Sequence, residues 1–158
     1  MKQFKFFMKG IPFLAILGCF PLANLEVQAK SKTVLETFSL KVSVVGISPV
    51  KGNVGLLLFE SNDGFPSSEK SAVRKAVLRV VENRLEYSFN GLPPGKYAVA
   101  VIHDKNSNNR LDTNFIGLPI EGYGVSNNAI NMFGPPKFDQ AAFFIGAQNR
   151  SIEIPVKY

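Results

Sequence analysis

The 158-residue sequence contains no tryptophan, one cysteine (Cys19) and one histidine (His103). A lone cysteine with a lone histidine excludes disulfide frameworks, multi-zinc modules and a Cys–His nucleophilic pair. Without tryptophan, the broad stacking surface of a typical carbohydrate binder is missing. No apolar run reaches the ~20 residues that span a bilayer as a helix. No long amphipathic helix and no solenoid period is visible. Positive charge exceeds negative, 18 Lys+Arg against 12 Asp+Glu, yet only Arg74 and Lys75 stand adjacent within the folded region, so the basic stripe of a nucleic-acid binder is absent. That surplus suits a solubilising surface or attraction to an anionic envelope polymer. At 46% hydrophobic the chain is too apolar for disorder and long enough for one domain with a sizeable core.

Residues 1–29 read as an export signal. Lys2, Lys5 and Lys9 precede a short apolar run from Ile11 to Phe20, and Val27-Gln28-Ala29 offers small residues for cleavage before Lys30. The mature chain is then 30–158, a single domain without cysteine, periplasmic or extracellular. Ile16-Leu17-Gly18-Cys19 also resembles a lipoprotein box, and a lipid on Cys19 would tether the chain to a membrane. The residues after it (Phe20, Pro21, Leu22, Ala23) stay apolar, which favours cleavage at Ala29 and a soluble product.

The remainder reads as strands separated by turn chemistry. Leu40–Val44 alternates apolar and polar residues, while Val54–Phe59 is continuously apolar and suits a strand buried on both faces. Residues 74–81 and Leu85–Phe89 read as a hairpin about Glu82-Asn83. Tyr97–Ile102, Ala141–Ile145 and Ile152–Val156 bring the total to about seven strands, which points to an all-β sandwich with a long ordered loop segment over 103–140. Along Tyr97–Ile102, Tyr97, Val99 and Val101 share one face, with His103 continuing it, and Ala98, Ala100 and Ile102 share the other.

Leu92-Pro93-Pro94-Gly95-Lys96-Tyr97 is the sharpest local signal, with Pro94 presetting a turn and Gly95 expected at positive φ. It resembles the Leu-Pro-x-Gly-x-Tyr turn of transthyretin-like, collagen-adhesin B-type and carboxypeptidase regulatory-type sandwiches. That resemblance implies an immunoglobulin-like or transthyretin-like sandwich and a structural role for the turn.

The stretch from His103 to Asn128, with Phe133-Gly134-Pro135-Pro136 and Phe138-Asp139-Gln140-Ala141 after it, resembles a bacterial exported family, domain of unknown function 2141. The resemblance covers about Leu40 to Tyr158 and implies a sandwich fold without an assigned activity. Ser107 and Asn109 stand where glycines are common in that family, and Ile120 stands where lysine is usual before Glu121.

Asp104-x-Asn106-x-Asn108-x-Arg110-x-Asp112 places oxygens at alternate positions of a polar loop. The order matches positions 1, 3, 5, 7 (a backbone carbonyl) and 9 of an EF-hand-like calcium loop. Asn109 takes the sixth position, where αL backbone is required and Asn is tolerated. Phe115 occupies the twelfth, so Glu121 is the candidate for the missing carboxylate. The same composition also forms a metal-free loop held by Asx turns. A polar-aromatic ligand site over His103, Tyr123, Ser126, Asn127 and Asn128 is the second candidate.

Two readings follow. The first is an exported non-catalytic structural or binding module with a calcium-type loop and an envelope polymer or protein as partner. The second is a small secreted hydrolase using His103, Asp104 and Glu121, with a metal as Lewis acid. A Ser126–His103–Asp104 triad is a weak variant of it, because Asp104 is adjacent to His103 and Ser126 lacks a nucleophile elbow. Intact-mass analysis of the protein from its host should give a chain beginning at Lys30. A mass carrying an acylated Cys19 would refute the soluble form.

Overall fold

Alternation along one strand organises the fold. The computed structural model describes residues 36–108, 112–115, 120–129, 131 and 134–158. The segment expected to be an export signal, with Cys19, and Asn109, Arg110, Leu111 and Phe133, lie outside these residues. Among the described residues eight strands follow in order: β1 Phe38–Val45, β2 Asn53–Phe59, β3 Arg74–Arg79, β4 Arg84–Leu92, β5 Gly95–Asp104, β6 Gly122–Val125, β7 Phe143–Ile145 and β8 Arg150–Pro155. One short helix, α1 Phe138–Ala141, and a single 3-10 turn over Ser126–Asn128 lie between β6 and β7.

The strands form two sheets, as expected of a sandwich. One has the order β4-β1-β8 and the other β3-β2-β5-β6, with β7 also pairing β5. Tyr97, Val99 and Val101 point between the sheets and pack with Leu40, Val42, Leu56 and Ile154. Ala98 and Ala100 point the opposite way, into a second cluster with Leu57, Phe59, Val125, Phe138 and Ala141. β2 is therefore buried on both faces near its end, as its continuous apolar run predicts.

The turn before β5 differs from expectation in one respect. Gly91, not Gly95, has positive φ (69°), at the β-bulge where β4 shifts register against β1. Gly95 sits against the Tyr97 ring, where an added Cβ would make an ordinary contact of 3.4 Å. Tyr97 donates from its hydroxyl to the Pro93 carbonyl at 2.8 Å, closing the turn as a tyrosine corner does. Burial pushes the Tyr97 phenol up from its ordinary pKa. The folded state then holds that proton more tightly than the unfolded chain, so this contribution is present below about pH 10 and lost as pH rises through the folded value.

The expected β3–β4 hairpin is corrected. β3 pairs β2 and β4 pairs β1, so the two strands belong to different sheets. The link between them crosses the sandwich: Val80 is buried and donates to the Gly52 carbonyl at 3.0 Å, while Ile47 donates to the Asn83 carbonyl at 3.1 Å. Strand propensity identified both elements, but the turn residues serve a crossing. Ala141 ends α1 and is not the start of a strand, because the Gln140 side chain accepts from the Lys137 N–H at 2.8 Å and closes a helical turn.

The eighth strand, β6, falls within the segment expected to be loop. Its Gly122 and Gly124 hid it, since glycine is depleted in strands. Here a Cβ on Gly122 would lie 2.5 Å from Val156, and one on Gly124 would lie 2.6 Å from the Pro155 carbonyl. Both glycines permit β6 to press against the chain end. Tyr123 and Lys157 exchange backbone hydrogen bonds of 2.9 and 2.8 Å, which zips the two sheets together along this side. Replacing Val99 or Val101 with Ala should cost about 1–3 kcal/mol through lost burial and residual cavity. Thermal melts of the two variants test this, and unmoved midpoints would refute the inward phase of β5.

Candidate functional site: the Asp/Asn loop after β5

The alternation that buries Val101 also decides where His103 and Asp104 go. His103 continues the inward face and is fully buried, 0% exposed. Its Nε2 lies 2.8 Å from the Lys51 carbonyl. A carbonyl only accepts, so Nε2 carries the hydrogen, and in the neutral ring Nδ1 accepts from the Tyr158 hydroxyl at 2.7 Å. Tyr158 in turn accepts from the Ser48 N–H at 2.7 Å. Burial raises the Tyr158 phenol, with the Ser48 N–H acting the other way. Both ring nitrogens of His103 are thus committed to structure.

Asp104, one residue on, faces outward and is 5% exposed. It opens the loop. The Asn108 N–H donates to Asp104 Oδ1 at 3.1 Å and to Asn106 Oδ1 at 3.0 Å. Asp112 is the focus of the other side chains: Asn106 Nδ2 donates to its Oδ2 at 2.7 Å, and Asn108 Nδ2 donates to Oδ1 and Oδ2 at 3.0 and 3.2 Å. Left-handed backbone occurs at Ser107, φ 60°; Asn109, expected to supply it, lies outside the described residues, as does Arg110 with its expected carbonyl ligand.

Glu121 holds the loop's two ends together. Its Oε1 accepts from the Lys105 N–H at 2.8 Å and its Oε2 from the Asp112 N–H at 3.2 Å. Glu121 is 3% exposed, and its carboxylate acts as a clamp on two backbone donors. Lys105 Nζ donates to the Ile120 carbonyl at 2.8 Å, adding a second tie across the same span. Asp104, Asn106, Asn108, Asp112 and Glu121 are therefore brought into one hydrogen-bonded unit. Among the described residues, no three His, Cys, Asp or Glu side chains stand together as a metal-holding group. Amide oxygens and backbone carbonyls would have to complete any cation shell here.

The second candidate site is taken apart by the fold. His103 faces the inner core. Ser126, also fully buried, donates to the Ala141 carbonyl at 2.7 Å and accepts from the Val99 N–H at 2.9 Å, so it rivets β5 to α1. Asn127 donates to the Ala142 carbonyl at 2.9 Å and, with Asn128, has positive φ (57° and 50°). These side chains and backbone bends pin the segment after β6. Tyr123 is half-buried in β6. The hydrolase set fails on the same geometry: His103 and Asp104 project to opposite faces of β5, and Glu121 is engaged by two amides. A triad through Ser126 fails likewise.

Beyond Asp104, the outer face of the larger sheet forms an open groove of about 750 Å³ over Asn53, Gly55, Val77 and Ile102. Residues 42–153 match the family described as an uncharacterized protein conserved in bacteria, domain of unknown function 2141. The chain belongs to that family. No curated protein and no solved structure matches it. The span matched by domain of unknown function 2141 runs from β1 into β8 and encloses the Asp/Asn loop together with His103, Glu121 and Ser126. The sequence carried no sign that Tyr158 and the Lys51 carbonyl partner His103, because both contacts join residues more than 50 positions apart. Tyr158→Phe should destabilise by about 1–2 kcal/mol by leaving the Ser48 N–H and a buried ring nitrogen unpaired. A melting midpoint equal to that of the unmutated protein would refute this pairing.

Proposed function

We propose that the protein is an exported, non-catalytic β-sandwich module whose 104–112 loop takes one calcium ion and presents the adjoining surface to an envelope polymer or protein. The observation that carries this reading is the convergence of Asn106 and Asn108 amides on the Asp112 carboxylate. Side-chain N–H groups stand there where a cation would neutralise the same oxygens. Rotating the Asn108 amide by half a turn exchanges Nδ2 for Oδ1 and adds a hard oxygen beside the Asp112 carboxylate, while Asn106 already presents its Oδ1 inside the loop, where it accepts from the Asn108 N–H. Such ligands suit calcium, which takes six to eight oxygens in flexible geometry. With Glu121 already clamping the loop ends, an ion would need little further ordering of the chain.

Two carboxylates and neutral oxygens imply weak binding, about 10⁻⁴–10⁻³ M, as in extracellular modules. Calcium at about ten times its dissociation constant should stabilise by roughly 1.4 kcal/mol by mass action. Thermal melts with calcium and with chelator measure the rise. Asp104→Ala and Asp112→Ala should abolish it, whereas Ser107→Gly, compatible with the left-handed backbone there, should retain it. A calcium-independent midpoint in the unmutated protein would refute calcium uptake and leave a hydrogen-bonded loop.

A further inference from the structure

The sandwich is closed along one side and open along the other. Backbone bonds between Tyr123 and Lys157 zip the β6 side, whereas β3 and β4 are terminal strands of their sheets. Leu78 on β3 and Leu85 and Tyr87 on β4 are only partly buried against the main core. The inner apolar layer thus reaches solvent between these two strands.

β3 also presents free backbone. Val80 donates to the carbonyl of Gly52, and the β2–β3 register pairs Leu78 with Val54 and Ala76 with Leu56. Antiparallel pairing alternates, so the N–H and C=O groups of Lys75, Val77 and Arg79 point away from β2. The side chains of these three residues project on the outer face, with Val77 63% exposed. Lys75 meets Glu69 at 3.0 Å in an exposed pair, which is worth little. Arg79 has no ion-pair partner among the described residues. β4 differs, because its Glu86 is matched by Lys41 at 2.7 Å and lies 3.7 Å from Arg84.

We infer that β3 is a docking edge for an extended segment of another protein, added as a further strand and carrying acidic residues opposite Lys75 and Arg79. Main-chain bonds to Val77 and its neighbours would supply the pairing, and alternate side chains the selectivity. The outer-face pattern to be matched is cation, valine, cation, so the partner reads acid, apolar, acid on that face. Its inner-face residues are apolar, covering Ala76 and Leu78 and the gap toward Leu85 and Tyr87. A second copy of this chain paired through β3 about Val77 would set its Lys75 against Arg79 of its partner, so the charge on this edge favours an acidic segment over a copy of itself. The inference is independent of calcium.

The probe is a peptide with the core Glu-Ile-Val-Ile-Glu flanked by serines, compared with its Lys-for-Glu counterpart, added to the purified protein in chelator. Amide hydrogen exchange and chemical shifts provide the readout. The acidic peptide should slow exchange at the Val77 N–H and bind at least tenfold tighter than the basic one. Val77→Pro removes an outward N–H without touching the β2 ladder, so it should keep the fold and lose at least tenfold in affinity. Lys75→Glu with Arg79→Glu should reverse the peptide preference. Absence of binding, equal binding of both peptides, insensitivity to Val77→Pro, shifts confined to the groove over Gly55 and Ile102, or dimerisation through β3 would each overturn the inference.

Discussion

The strict two-residue alternation of β5 is the constraint on which everything else depends. Tyr97, Val99, Val101 and His103 are committed to the space between the sheets, while Ala98, Ala100 and Asp104 are committed to the opposite face. A slip of one residue would exchange the two sets. It would bury Asp104 in the main core and strip His103 of Tyr158 and the Lys51 carbonyl. Both faces of β5 are apolar over most of its length, so volume opposes the slip: Tyr97 and the two valines fill the inner face while only alanines fit against the second cluster.

That constraint separates residues which sequence proximity would join. His103 and Asp104 are neighbours in the chain, and an acid–base pair was a natural reading of them. Strand geometry sends one into a closed pocket of structural hydrogen bonds and the other into the solvent-facing loop. Ser126 is removed from chemistry by the same strand, since the Val99 N–H bonds to its Oγ. Among the described residues of the loop, the side chains that hydrogen-bond to one another are the oxygens and amides of Asp104, Asn106, Asn108 and Asp112.

The legible parts of this fold were those carried by local pattern. The faces of β5 follow from its alternation and the double burial of β2 from its unbroken apolar run, whereas the Tyr97 hydroxyl bond to the Pro93 carbonyl and the positive φ at Gly91 instead of Gly95 have no local signal. Pairing partners were less legible. Two strands and a turn predict a β3–β4 hairpin, but Val80 and Asn83 bond across the sandwich, and no local signal distinguishes a crossing from a hairpin. β6 is hidden in the sequence because its glycines serve close approach to Ile154–Tyr158, far along the chain. In the loop, the spacing of Asp104, Asn106, Asn108 and Asp112 was readable, while the role of Glu121 as a clamp on two amides depended on where β6 begins.

The parallel pairing of β1 with β8 joins the first strand to the last. Neither can be satisfied until both ends are present, so contacts of the greatest sequence separation must form to complete the smaller sheet. Loop-closure entropy opposes such contacts until late, which makes folding slow relative to local structure formation. A chain emerging from its site of synthesis, or threaded through a pore, would hold β1 with only β4 beside it until residues 150–155 arrive. The sandwich is built to assemble after the chain is whole, not while it is being made.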